Sequence, residues 1–133
     1  MGVAAERARK NRKKRAQRLS GLREEFIDRV HDRTDGQLVG HPSQRLPGYA
    51  LFCFEDVAGT DIVAALAEQG VAVSSGSACH SGTPSPSTVL TEMGIDPEIA
   101  LGAVRFSMGR DTNLEDVVNA VNALEDALAT LRT

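Results

Sequence analysis

Apolar residues recur only from Leu19 on, where Leu19, Leu22, Phe26, Ile27 and Val30 fall at the spacing of one helix face. The stretch just before them, residues 7–18, holds eight Arg or Lys in twelve positions, interleaved with Ala8, Ala16 and Gln17. Alanine, glutamine, lysine and arginine all favour helix. The two halves therefore predict one long helix, from roughly Val3 to Asp32. Its second half must pack on a core. Its first half has nothing apolar to bury, so it is solvated or belongs against a surface outside the chain. Charge follows the same division. Residues 1–23 carry a net +8 and residues 24–133 a net −11, which leaves −3 for the whole. A basic head and an acidic body imply different jobs for the two parts.

At 133 residues the chain is one domain in size. A hydrophobic fraction of 41% lies well above the disordered range. No run approaches the ~18 uninterrupted apolar residues of a membrane span. No apolar run follows the first basic residues, which argues against a secretory signal. Two cysteines cannot staple a secreted mini-protein. The expected compartment is reducing and cytoplasmic.

Beyond the first helix, Asp35-Gly36 marks a turn, and Gln37–Gly40 has the makings of a short strand. His41-Pro42 and Leu46-Pro47-Gly48 punctuate a loop. Tyr49 to Phe54 is an aromatic strand, with Leu51 and Cys53 on one face and Phe52 and Phe54 on the other. Thr60 is positioned to cap a helix that Gly70 ends. Val71–Val73 reads as a strand leading into a serine- and glycine-rich loop over 74–85. So polar a segment cannot offset its ordering entropy by burial, and it is expected to be exposed and mobile. Ser85-Pro86 opens a helix closed by Gly94, and Asp96-Pro97 opens another. Ala103 to Met108 alternates, with Val104, Phe106 and Met108 on one face and Ala103, Arg105 and Ser107 on the other. Thr112-Asn113-Leu114-Glu115 has capping-box spacing before a final amphipathic helix that runs to about Arg132. The expected fold is α+β: a small, mainly antiparallel sheet with helices on one face and a long N-terminal helix.

Two residues stand out chemically. Cys79 lies among Ser, Gly and His80, the polar and exposed surroundings in which cysteines react; the alternative is an incidental thiol in a linker. Cys53, in an apolar strand, reads as packing. Arg105 sits in an otherwise apolar strand, where a guanidinium needs an anionic partner or an exposed face. Spacing alone leaves a carboxylate grip and a solvent-facing arginine equally open. The histidines and cysteines lack zinc-ligand spacing. No phosphate-binding glycine loop is present. The basic run has enough charge for a salt-sensitive grip on nucleic acid. However, no aromatic is interleaved to stack a base, and the body is acidic, which argues against that partner.

The run Val71-Ala-Val-Ser-Ser-Gly-Ser-Ala-Cys79-His-Ser-Gly82 closely resembles the active-site loop of the cysteine desulfurases, pyridoxal-phosphate enzymes of the aminotransferase fold (class V). The likeness continues through Pro86–Leu90, Met93-Gly94 and Val104–Thr112, and upstream through Gly40-His-Pro and Arg45-Leu-Pro-Gly. It resembles the long-loop subgroup. The resemblance implies that Cys79 is the nucleophile that takes sulfur from L-cysteine as a persulfide, leaving alanine. It implies that Arg105 holds the substrate carboxylate. The mobile loop that carries the thiol would comprise Ser74, Ser75, Gly76, Ser77, Ala78, His80, Ser81 and Gly82. The sulfur would pass to an acceptor or scaffold protein for iron–sulfur or other thio-cofactor assembly.

A complete enzyme of this kind is about three times as long, with a large domain that supplies the Schiff-base lysine and the phosphate cradle. Here the lysines are Lys10, Lys13 and Lys14, all inside the basic run. The chain therefore looks like the C-terminal small domain, residues 33–133, preceded by the helix, residues 1–32, that bridges to the large one. Pyridoxal phosphate is the cofactor of the complete enzyme and is not expected to bind this chain alone. Expected partners are the missing large domain or a chain that supplies it, a sulfur acceptor, and a second copy, since the family is usually dimeric. Two other functions stay open: a stand-alone sulfur carrier loaded by another enzyme, and a nucleic-acid module built on the basic helix.

Overall fold

The computed structural model describes residues 2–76, 78–80 and 82–133, with backbone alone for 78–80. Helix α1 spans Gly2–Arg33, within a residue of expectation at each end. Residues 2–15 are exposed on every side. Burial begins at Leu19 and continues through Phe26, Ile27 and Val30, as the apolar spacing requires. Phe26 is the anchor, its ring 4.7 Å from Phe106 and 6.2 Å from Phe52. Near the end of α1, Arg33 bonds Asn122 and Glu125 of the last helix, each at 2.6 Å.

Strands β1 (Gln37–Leu38), β2 (Tyr49–Cys53), β3 (Ser74–Ser75) and β6 (Ala103–Ser107) form one antiparallel sheet in the order β1-β2-β6-β3. Ala50 faces Phe106 and Phe52 faces Val104 across the β2–β6 ladder. These residues share one side of the sheet, because successive side chains alternate. Helices α1, α2 (Gly59–Glu68) and α5 (Leu114–Leu131) close over that side to make the main core. On the opposite side, α3 (Thr88–Glu92) and α4 (Pro97–Leu101) bring Leu90 and Ala100 over Cys53 and Ala103. They cover one end only. At the other end Tyr49, Arg105 and Ser107 remain exposed and Leu51 half-buried. Among the described residues, no helix is long and apolar enough to cross a membrane.

Several local expectations shift. Strand pairing begins at Ser74 rather than over 71–73, because the backbone reaches β6 only there. The segment beyond is not a plain loop: β4 (Ala78–His80) and β5 (Thr83–Ser85) pair as a hairpin, with Cys79 opposite Pro84. Gly82, at φ +80°, supplies the left-handed conformation this turn uses. Ser85 therefore ends a strand instead of capping a helix, and Ser87 is the residue that precedes α3. Helix α2 starts at Gly59 after Ala58, so Thr60 is not its cap. The capping box of α5 is one residue later than the spacing indicated. Asn113 accepts from the Asp116 amide at 3.0 Å and Asp116 accepts from the Asn113 amide at 2.9 Å. Asp96 caps α4 as expected, with Pro97 in the first turn.

Two glycines make opposite predictions. A Cβ on Gly102 would lie 1.9 Å from the Phe54 carbonyl oxygen, whereas one on Gly21, mid-way along α1, would meet nothing within 4 Å. Gly102→Ala should cost about 3 kcal/mol by overpacking. Gly21→Ala should gain about 0.5–1 kcal/mol by restricting the unfolded chain. Urea titrations of the two variants check both signs.

Candidate active site

Strand β6 carries Arg105 on the uncovered side of the sheet, flanked by Leu51 of β2 and Ser74 of β3. Its guanidinium makes no hydrogen bond or ion pair among the described residues and is exposed. It lines an open groove of about 460 Å³ with His41, Gln44, Arg45, Tyr49 and Leu51. A cation with no internal partner, at the wall of a groove with one apolar flank, is suited to take a carboxylate by two parallel hydrogen bonds.

The wall opposite is the 39–46 loop, held by two arginines. Arg45 donates from Nη1 to the carbonyls of Val39 and His41, both at 2.9 Å. Arg23, only 5% exposed, reaches from α1 to the Leu46 carbonyl at 2.9 Å. Burial, and then the neighbouring Arg23, push the Arg45 pKa down, with Glu24 opposing. Within the loop, the His41 Nδ1 accepts from the amides of Ser43 (3.1 Å) and Gln44 (2.9 Å). An acceptor lone pair at Nδ1 puts the proton of the neutral ring on Nε2. His41 and Arg105 line the same groove. Pattern reading sees this stretch only as a loop. The signal available was Gly40-His-Pro and Arg45-Leu-Pro-Gly, which show constraint without showing what each side chain does.

The segment that bears Cys79 springs from beside Arg105. Ser74 is the Cα partner of Arg105, and the Gly76 amide bonds the Ala103 carbonyl at 2.7 Å. Any Cβ at Gly76 would lie 2.6 Å from the Ala103 Cβ, so only glycine lets the chain lie this close to β6. Three residues on, the Cys79 backbone pairs in the hairpin; its Cα is at most about 11 Å from that of Gly76. Ser74, Ser75, Gly76 and Gly82 are thus placed at the root and turn of this segment. Ser77 and Ser81 lie outside the described residues, as do the side chains of Ala78, Cys79 and His80.

Residues 3–119 match the family model for class-V aminotransferases. The chain belongs to that family. Cysteine desulfurase IscS of Dictyoglomus turgidum is 40% identical over 134 residues, covering all of the chain and 34% of the relative. The Aeromonas hydrophila enzyme of the same name is 36% identical over 132 residues, covering 99% and 32%. The chain thus spans about a third of the length of these curated relatives and corresponds to a cysteine desulfurase-related region. A NifS-like protein from Rickettsia africae superposes with TM-score 0.84 at 21% identity, over 96% of this chain and 33% of its own. A second NifS-like structure gives 0.83 at 23%. These likenesses establish the fold.

The family implies pyridoxal phosphate for the full enzyme. Lys10, Lys13 and Lys14 are exposed on the head of α1, and none lines the groove of Arg105.

Cys53 behaves as the apolar reading expects. It is buried, and burial pushes its thiol up to about 11. The raised value means the folded state resists losing the proton. The associated stability is intact below pH 9 and is lost as pH rises through about 11. In a Cys79→Ser variant, native labelling by a disulfide reagent at pH 8 should be slow until the chain unfolds. Stability should fall between pH 9 and 11, and Cys53→Ala should flatten that fall, as read by denaturant titration at a series of pH values.

Proposed function

We propose that this chain is the sulfur-handling part of a cysteine desulfurase, corresponding to the C-terminal small domain (residues 33–133) with the helix that bridges to the cofactor domain (residues 1–32). Cys79 is the nucleophile. Its thiolate attacks the substrate sulfur; the sulfur–sulfur bond forms as the substrate's carbon–sulfur bond breaks, the bonding pair stays on carbon, and that carbon takes up a proton to leave as alanine; the carbon chemistry falls to the part of the enzyme beyond this chain. An acceptor thiolate then attacks the outer sulfur, the sulfur–sulfur bond breaks, and Cys79 departs as thiolate. Arg105 holds the substrate α-carboxylate, in a groove that His41 also lines. The acceptor feeds iron–sulfur or another thio-cofactor assembly.

The observation that carries this reading is the pairing of Ser74 with Arg105. It roots the segment that bears Cys79 beside Arg105, which supports approach of the thiol to a substrate held by that arginine. A second reading, a stand-alone carrier loaded by another enzyme, draws on the absence of any lysine from the Arg105 groove.

Both readings require Cys79 to hold sulfur. Incubation with glutathione persulfide should add the mass of one sulfur atom at Cys79, with reduced glutathione released. Peptide mapping should find none at Cys53, and Cys79→Ser should gain nothing. Equal loading of both cysteines, or none, would reject the assignment. With pyridoxal phosphate and L-cysteine, the chain alone should release no sulfide. Turnover on adding a chain that carries the missing lysine separates the desulfurase part from the carrier.

A further inference from the structure

Strand β1 is an outer strand of the sheet, and no strand lies beyond it among the described residues. Val39 donates to the Leu51 carbonyl at 2.9 Å, and Gln37 is the Cα partner of Cys53. Backbone groups alternate in direction along a strand, so Leu38 turns its N–H and C=O outward, away from β2. Beside this edge, on the side that α3 and α4 cover, runs a groove of about 240 Å³ lined by Leu38, Val39, Cys53, Met93, Ile95 and Ile99. Met93 is 55% exposed, and Ile95 and Ile99 are half-buried, so the groove keeps apolar surface in contact with water.

Four carboxylates stand at the Gln37 end. Gln37 lines the groove too, and its amide donates to Glu55 at 2.7 Å. Glu55, Asp56, Asp96 and Glu98 gather around Ile99. None of the four has an ion-pair partner among the described residues. Arg132 reaches the Glu55 carbonyl, but its ion pair is with Asp35, at 3.0 Å. Nor is any group of three carboxylates among the described residues arranged to hold a metal ion. Negative charge spread in this way suits cations carried on long side chains. This end of the fold is also remote from the bridge to the cofactor domain. Arg18 bonds the turn at Arg110 and Thr112, and Leu19 lies against Gly48, so the head of α1 leaves past the Tyr49 end. About 22 Å further along the helix, Arg33 lies at the opposite end, just before β1.

We propose that the β1 edge takes an extended segment of a partner polypeptide as an added strand, with an apolar side chain in the groove and a lysine or arginine among the carboxylates. The three features select together. Outward N–H and C=O groups recruit a backbone, and a pocket beside them recruits an alternate side chain. The carboxylates attract a basic strand and repel an acidic one or a nucleic acid. A metal ion or a small organic cation would leave both the edge and the groove unused.

The test uses fluorescence anisotropy with a labelled nine-residue peptide, alternating valine and threonine between two lysines at each end. It should bind, and the same peptide with glutamate for lysine should not. Glu55→Gln, Asp56→Asn and Glu98→Gln together should weaken binding about tenfold at low salt and less at moderate salt. Met93→Ser should weaken it several-fold at either salt. Glu68→Gln, Glu115→Gln and Asp126→Asn remove as much charge elsewhere and should change binding less than about twofold. Amide exchange by NMR should slow at Leu38 when the peptide is bound. Circular dichroism confirms that each variant folds. Equal losses from the two triple variants, or an unprotected Leu38 amide, would mean diffuse attraction and overturn the proposal. No binding would leave the carboxylates as guards of an edge strand. Displacement of the peptide by a chain that carries the missing lysine would assign the edge to a contact within the enzyme, which also overturns it. None of these outcomes bears on whether Cys79 takes up sulfur.

Discussion

The five-residue ladder between β2 and β6 is the constraint on which everything else rests. Its register puts Ala50, Phe52, Val104 and Phe106 on the side that α1, α2 and α5 cover. Burying a phenylalanine is worth about 1.5–3 kcal/mol, so that side sets the register firmly. The consequence lies on the other face. Once Phe106 and Val104 point inward, Arg105 has no choice but to point outward, next to Leu51 and Ser74. A one-residue slip would bury the guanidinium in the main core. The arginine is thus positioned by its apolar neighbours rather than by any bond of its own.

The same strand anchors the cysteine segment. β3 is only two residues long, and its hold on β6 is extended by the Gly76 amide on the Ala103 carbonyl. Further along β6, Ala103 is packed beneath Leu90 and Ala100. A small residue at 103 and none at 76 let the chain enter between them before it turns into the hairpin. The root of the segment is thus fixed on β6.

Much of this was legible because it follows from period and burial. The long helix, the alternation in β6, the opposed faces of β2 and the Asp96-Pro97 helix start each rest on a pattern within a few residues. The displaced features rest on competition. At α5 both Thr112 and Asn113 begin workable boxes, and Asn113 with Asp116 closes both hydrogen bonds. Ser85-Pro86 reads as a helix start by local rules, but pairing with Ala78 takes Ser85 into a strand. Nothing local reveals that the loop of residues 39–46 is clamped by Arg23 from a helix twenty residues away. Cys79 was singled out by its polar neighbours and by resemblance; pattern cannot supply the pairing that roots its segment next to Arg105.

The exposure of Arg105 also bears on what the chain can do unaided. Opposite charges 4 Å apart attract by about 1 kcal/mol in water, but by about 4 kcal/mol at the effective dielectric near a covered protein surface. On an open face, a carboxylate gripped by this arginine competes with water and gains little. If another body closes over Tyr49, Leu51 and Arg105, the same two hydrogen bonds become several times stronger, and the desolvation of the arginine is offset only when an anion is present. The covered end of that face, under α3 and α4, has apolar residues to bury; the uncovered end has an arginine, a tyrosine and a serine. Such a division fits a surface meant to be closed in the presence of a ligand rather than by the fold alone. It also explains how a free guanidinium persists on this sheet: its end of the face is open to water.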